Sequence, residues 1–184
     1  MNRNRCTLAA TLLGVALAAT AAPLKTDLAK SSVSAVFRQM NVPVESKFKK
    51  FSAAIDYDAA KPELAKASVE IDTASLDLGD ADMNKEVAKK EWFNSAQFPK
   101  ATFVSTAIKP AGTGKLAVSG KLSIKGKSTD VSFPLAVKTE AGKQVFEGAL
   151  PIKRLTYAVG EGEWKDTSMV ADEVVIKFRV TAAQ

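Results

Sequence analysis

The chain contains no histidine and a single cysteine, Cys6. Without imidazole there is no Ser-His triad, no histidine general base and no histidine metal ligand. Cys6 stands ahead of an apolar run at the N-terminus, so the rest of the chain has no thiol nucleophile, no thiolate metal site and no disulfide. Aromatic residues are sparse at 7%. Four of them, Trp92, Phe93, Phe98 and Phe103, nevertheless share the stretch EWFNSAQFPKATF at 91–103. Asn94, Ser95, Gln97 and Pro99 make that stretch read as a connection, which leaves its apolar content to be explained.

The N-terminus has the organisation of a secretory leader: a basic Met1–Arg5, an apolar Thr7–Ala19, and small residues at Ala19 and Ala21. The apolar run is shorter than the ~20 residues that span a bilayer. The reading is therefore a cleaved signal peptide over 1–21, one domain over 22–184, and a periplasmic or secreted protein. Loss of Arg3 and Arg5 with the leader lowers the net charge from +6 to +4. The lysines are scattered, and no aromatic-basic motif points to nucleic acid. A weak attraction to a membrane face stays open, and the oligomeric state is not read.

What is abundant is alternation with period two, the mark of half-buried strands. Phe51, Ala53, Ile55 and Tyr57 form one such run, Leu116, Val118, Gly120, Leu122 and Ile124 another, and Val174, Ile176, Phe178 and Val180 a third. Further strands are read near 32–40, 67–73, 101–109, 131–137 and 144–152, giving about eight. Gly-containing turns such as Lys125-Gly126 join them as antiparallel hairpins. Residues 41–50 and 80–91 read as short helices or helical turns. Such a set of strands closes as a barrel or stacks as a sandwich, and the pattern does not choose between them. Small residues on apolar faces, Ala35, Ala53, Ala67, Ala101, Ala107 and Gly120, suit a packed core and a lumen alike.

Three polar motifs resemble catalytic or binding signatures. Ser46-x-x-Lys49 matches a serine acyl-enzyme pattern but lacks its companion motifs. Gly120 to Ser128 resembles a phosphate loop, with five residues between its glycines where four are needed and a strand following where a helix is required. Asp80-x-Asp82-x-Asn84 with Glu91 echoes a calcium loop, but Lys85 stands where the turn needs glycine. Asp80 reads instead as a helix cap. No catalytic constellation and no metal site emerge.

The aromatic stretch is where a family resemblance becomes visible. Trp92-Phe93-Asn94 and Phe98-Pro99-Lys-Ala-Thr-Phe103, behind an Asp-containing segment, resemble the YceI-like family of bacterial exported proteins. Gly120-Lys-Leu-Ser-Ile-Lys-Gly126, Arg154-Leu-Thr-Tyr157 and Asp172-Glu-Val-Val-Ile176 match further family segments in order, over roughly 32–181. The resemblance implies an all-β fold, an eight-stranded antiparallel lipocalin-like barrel with one or two short helical segments. It also implies a lumen that holds a polyisoprenoid chain, the tail of an isoprenoid lipid or quinone, with no other cofactor. Histidines common in the family are absent here; Ser32, Gln39 and Asn84 stand near their places. An isoprenoid tail has nothing to hydrogen-bond, so burial of area at ~25 cal/mol per Å² must hold it.

The expected ligand-binding set is accordingly apolar: Phe37, Met40, Phe51, Ile55, Ile71, Met83, Val87, Trp92, Phe93, Phe98, Phe103, Leu122, Phe133 and Phe178. Within it Trp92, Phe93 and Phe98 are read as wall or lid of the slot. The expected function is a non-enzymatic isoprenoid carrier, store or protector. The alternative is a stress-related periplasmic interaction module with a filled core that binds protein through residues such as Trp92 and Trp164, and a Ser-Lys or carboxylate hydrolase is the third reading.

Overall fold

Residues 23–183 are described by a computed structural model; the expected leader over 1–21 lies outside the described residues. Period-two alternation builds the strands β1 (Lys25–Thr26), β2 (Ser32–Gln39), β3 (Val42–Phe48), β4 (Phe51–Asp56), β5 (Lys66–Asp72) and β6 (Leu76–Asp77). After a single α-helix, α1 (Ala81–Val87), come β7 (Lys100–Pro110), β8 (Lys115–Ile124), β9 (Lys127–Glu140), β10 (Lys143–Lys153) and β11 (Glu173–Ala183). All pair antiparallel in one sheet of order β4-β5-β7-β8-β9-β10-β11-β2-β3-β6, with β1 on β11. The sheet curls into a half-barrel around an apolar interior.

Two expectations need correction. The strands number eleven rather than the eight of the expected lipocalin-like barrel, and the strand order of the curled half-barrel ends at β4 and β6. Interruption accounts for much of the excess. β1 and β2 lie on the same edge of β11, split by the turn Leu28–Lys30. Residues 41–50, expected to be helical, are largely the strand β3. There Val44, Ser46 and Phe48 alternate with the exposed Pro43, Glu45 and Lys47, and the buried hydroxyl of Ser46 hides the apolar period. The margin at β4 is tied to β1: Leu24 N–H donates to the Ile55 carbonyl at 2.8 Å and Thr26 Oγ1 to the Ala53 carbonyl at 2.8 Å.

β7 reads poorly in sequence because it is bulged between Ser105 and Ala107. A bulge inserts one residue and reverses the parity of the strand, so Ala101 and Phe103 face inward before it and Ile108 after it. The β8–β9 hairpin turns at Lys125 and Gly126, with φ of 49° and 73°. This is the two-residue left-handed turn that matches strand twist, and it disposes of the phosphate-loop resemblance. Asp80 caps α1, its Oδ1 accepting from the N–H groups of Asp82 and Met83 at 2.9 Å.

The strands define two ends. β4, β7, β9 and β11 finish at the rim, near Asp56, Pro110, Glu140 and Ala183. The opposite end is roofed by α1, the aromatic stretch and the long connection 154–172.

Candidate functional site: an apolar cavity through the half-barrel

The inward faces of the strands do not meet. They leave a cavity in which the centre of a water-sized sphere can range over about 180 Å³. By that measure one water needs ~10–15 Å³, so the space suits a guest far larger than a water. It runs from Tyr57, Ala65 and Lys66 at the rim to Phe93, Tyr157 and Val159 under the roof. Midway, Phe133 stands between Phe103 and Phe178, both ring centroids 5.5 Å away. These rings need room behind them. A Cβ at Gly120 would fall 2.5 Å from the Phe103 ring, and one at Gly148 2.4 Å from the Phe178 ring. The small residue at Gly120 thus seats an aromatic ring rather than a ligand.

The polar side chains of the wall beneath the roof are spent inside the protein. Thr73 Oγ1 bonds Ser95 Oγ and the Phe98 carbonyl, both at 2.9 Å. Tyr157 shares a hydrogen bond with Thr129 Oγ1. Arg154 is 3% exposed, and all five of its N–H groups donate to carbonyls: Nε to Ala171, the terminal nitrogens to Val159, Gly160, Trp164 and Val170, at 2.6–3.1 Å. Burial lowers its pKa, partly offset by the charge of Asp172. At the rim, Tyr57 packs edge-on against Phe146 at 5.3 Å, and burial raises its pKa.

Arg154 also explains the aromatic stretch. Its guanidinium lies 5.7 Å above the Trp92 ring, in the range of a cation–π contact. Trp92 in turn packs on Trp164 at 5.3 Å. Lys125, from the β8–β9 turn, donates to the Ala158 carbonyl at 2.6 Å and pairs with Glu161 at 3.1 Å. That contact depresses the pKa of Glu161. The Glu91 carbonyl accepts from both Gly160 and Glu161 N–H at 2.8 Å. Two cations and an indole pair therefore hold the roof.

Seven of the fourteen expected ligand residues lie on this cavity: Ile55, Ile71, Phe93, Phe103, Leu122, Phe133 and Phe178. The other seven do not. Phe37 lies beyond Ala35, the last β2 residue on the cavity, and pairs with Val44. Met40 sits at the β2–β3 hairpin tip, 66% exposed, and Met83 is exposed on α1. Phe51 borders a shallow surface depression with Lys50, Pro99 and Lys100. Val87 ends α1, half-buried, its carbonyl taking the Phe93 N–H. Trp92 is in the roof behind the wall, and its indole N–H has no hydrogen-bond partner. Phe98 leaves the wall to lie over Gly126, where a Cβ would come within 2.8 Å of its ring. The two helical residues, Met83 and Val87, stay off the cavity because α1 packs against the turn Thr73–Ser75 and β6.

Sequence reasoning missed Tyr57, Phe146, Arg154 and Tyr157 as wall residues. Parity along β4 and β10 marks Tyr57 and Phe146; nothing local marks Arg154, whose partners lie up to 17 residues away. The Ser46–Lys49 resemblance dissolves: Ser46 is buried and Lys49 Nζ pairs with Asp77 at 2.7 Å. The cavity also departs from the filled core of the interaction-module alternative.

Comparison with known proteins places this architecture. The chain superposes on the crystal structure of Burkholderia cenocepacia BcnA with a TM-score of 0.84 and 55% identity, covering 86% of this chain and 100% of that one. A polyisoprenoid binding domain from Saccharophagus degradans, implicated in plant cell wall breakdown, shares the fold with a TM-score of 0.67 at 18% identity, over 88% of this chain and 97% of that one. A Shewanella baltica UPF0312 protein is 34% identical over 128 residues, which is 68% of this chain but 65% of the relative, slightly under two thirds of its length. The YceI-like domain itself matches residues 24–182, from the residue before β1 to the penultimate residue of β11, and the chain belongs to the YceI-like family.

Proposed function

We propose that this protein is an exported, non-enzymatic carrier whose cavity holds the isoprenoid chain of a lipid or quinone. The observation that carries the reading is the accounting of polar groups. The wall is hydrocarbon and aromatic, and the guanidinium and hydroxyls beneath the roof already have partners. A polar guest would lose its hydration without replacement, whereas a long apolar chain gains with each segment buried. The same accounting argues against catalysis in the cavity, since no nucleophile–base pair faces it. A family fold shared with a polyisoprenoid binding domain supports the choice of isoprenoid over other apolar chains. The N-terminal leader pattern supports export to the periplasm, where storage, carriage and protection of such a lipid are all served by one dry slot.

The test is uptake of a long-tailed isoprenoid quinone by protein stripped with solvent and refolded, alongside Ala67→Phe. Ala67 lines the cavity on β5, so a ring there occupies the slot. Wild type is expected to bind and the variant to lose at least about tenfold in affinity while remaining folded. Equal uptake by the folded variant, or none by wild type, overturns the reading.

A further inference from the structure

The rim and the roof differ in charge. The rim comprises residues 23–32, 56–66, 109–115, 138–143 and 179–183. Six of its lysines, Lys25, Lys30, Lys61, Lys66, Lys109 and Lys115, stand outside any ion pair, against three such carboxylates, Asp56, Asp58 and Glu63. Its other charges are neutralised, as in Lys143–Asp27 at 2.8 Å and Arg179–Glu140 at 2.7 Å. At the roof end, over residues 38–50, 72–100, 124–128 and 153–173, carboxylates and surface cations outside any ion pair balance at seven of each. The modest net charge of the molecule is thus concentrated at one end.

The same end carries the mouth. Lys66 is the one exposed residue among those lining the cavity, while the far end is closed by Trp92, Trp164 and the Arg154 hydrogen bonds. Two large apolar side chains project from short turns here. Leu64, 64% exposed, ends the turn Pro62–Leu64 that leads to Lys66. Leu28, 53% exposed, follows Asp27, whose N–H bonds Thr181 near the end of β11.

We propose that the rim is a docking surface for an anionic phospholipid bilayer, with Lys25, Lys30, Lys61, Lys66, Lys109 and Lys115 facing the headgroups and Leu28 and Leu64 entering the interface. This rests on the carrier reading, because an apolar chain crosses between bilayer and cavity without exposure to water only if the mouth faces the membrane. Basic residues near an anionic surface each add measurably to binding, and salt screens them within a Debye length. The roof also exposes apolar side chains, Met40, Val42 and Met169, but has no matching excess of positive charge and no mouth.

The experiment is co-sedimentation of protein purified from cells expressing the full chain with phosphatidylglycerol-containing or pure phosphatidylcholine vesicles. Binding to the anionic vesicles only, weakened by salt, is expected. Lys30→Glu with Lys61→Glu should lower it about tenfold or more. Lys90→Glu with Lys165→Glu changes the net charge equally at the roof and should leave binding within about twofold. Leu64→Ser should weaken binding at high salt, where charge no longer dominates. Unchanged thermal midpoints establish that the variants are folded. Equal losses from the two charge pairs, loss caused instead by Met40→Ser with Met169→Ser, or no binding to anionic vesicles overturns the docking surface. Lipid content is measured on the same proteins before vesicles are added. Docking by a protein that never carries lipid would sink the carrier reading alone, and a lipid-loaded protein indifferent to vesicles would sink the docking surface alone.

Discussion

Arg154 shows how one side chain governs a region. A buried guanidinium is stable only when its donors are satisfied, and here five carbonyls from one connection supply the partners. Arg154→Met removes the charge and strands those carbonyls, and about 3 kcal/mol or more of stability should be lost in urea unfolding; a loss under about 1 kcal/mol would contradict the accounting. Phe93 and Trp92 adjoin in sequence but have different work. Phe93→Ala opens the cavity wall and should lower lipid retention more than it lowers stability. Trp92→Ala, which removes the indole between Arg154 and Trp164, should do the reverse, costing about 3 kcal/mol. The two ratios, from lipid extraction and urea melts, should differ clearly. At the surface, Asp77 has its pKa depressed from 3.8 to about 2, first by Lys49, then by Asn84 and the Gly79 N–H. A depressed carboxylate stabilises the fold above its unfolded pKa, and that contribution disappears as pH falls through the folded value. Stability should therefore decline from about pH 4 to about pH 2, and Asp77→Asn should flatten that slope in a pH series of melts.

At the scale of elements, what was legible followed from period. All eight expected strands exist, because Leu116 to Ile124 and Val174 to Val180 keep one parity over their length. β3 was not legible, since Ser46 interrupts its apolar face, and β7 only half so, since its bulge switches parity midway. The same rule explains the candidate site. Leu122, Phe133 and Phe178, on regular strands, lie on the cavity, whereas Met40, Met83 and Val87, in a turn and the helix, do not; Phe37 and Phe51 show that a strand position alone is not enough, and Phe93 that a connection can supply wall. Period reports which face of a strand is buried; it is silent about where a connection folds. Close packing between neighbouring strands was also invisible, as Gly148 opposite Phe178 illustrates. Gly148→Ala should cost about 1–3 kcal/mol by displacing that ring; an unchanged thermal midpoint would show that the ring is free to move.

The described residues form a curled sheet roofed at one end by an arginine, a lysine and two tryptophans, with a basic rim at the other end and an apolar cavity between. No helix of the described residues is long and apolar enough to cross a membrane. Nothing in that arrangement needs histidine or cysteine, and their scarcity in the sequence is compatible with the proposed binding function. The roof explains the aromatic density of EWFNSAQFPKATF: Phe93 and Phe103 are cavity wall, the latter on β7, Trp92 is roof, and Phe98 seats on a hairpin turn. The most direct test is native mass spectrometry of the protein purified from cells expressing the full chain, before and after solvent extraction. The account predicts a mass excess that extraction removes, with a fragment ladder spaced by isoprene units; a bare polypeptide mass in both spectra would contradict it.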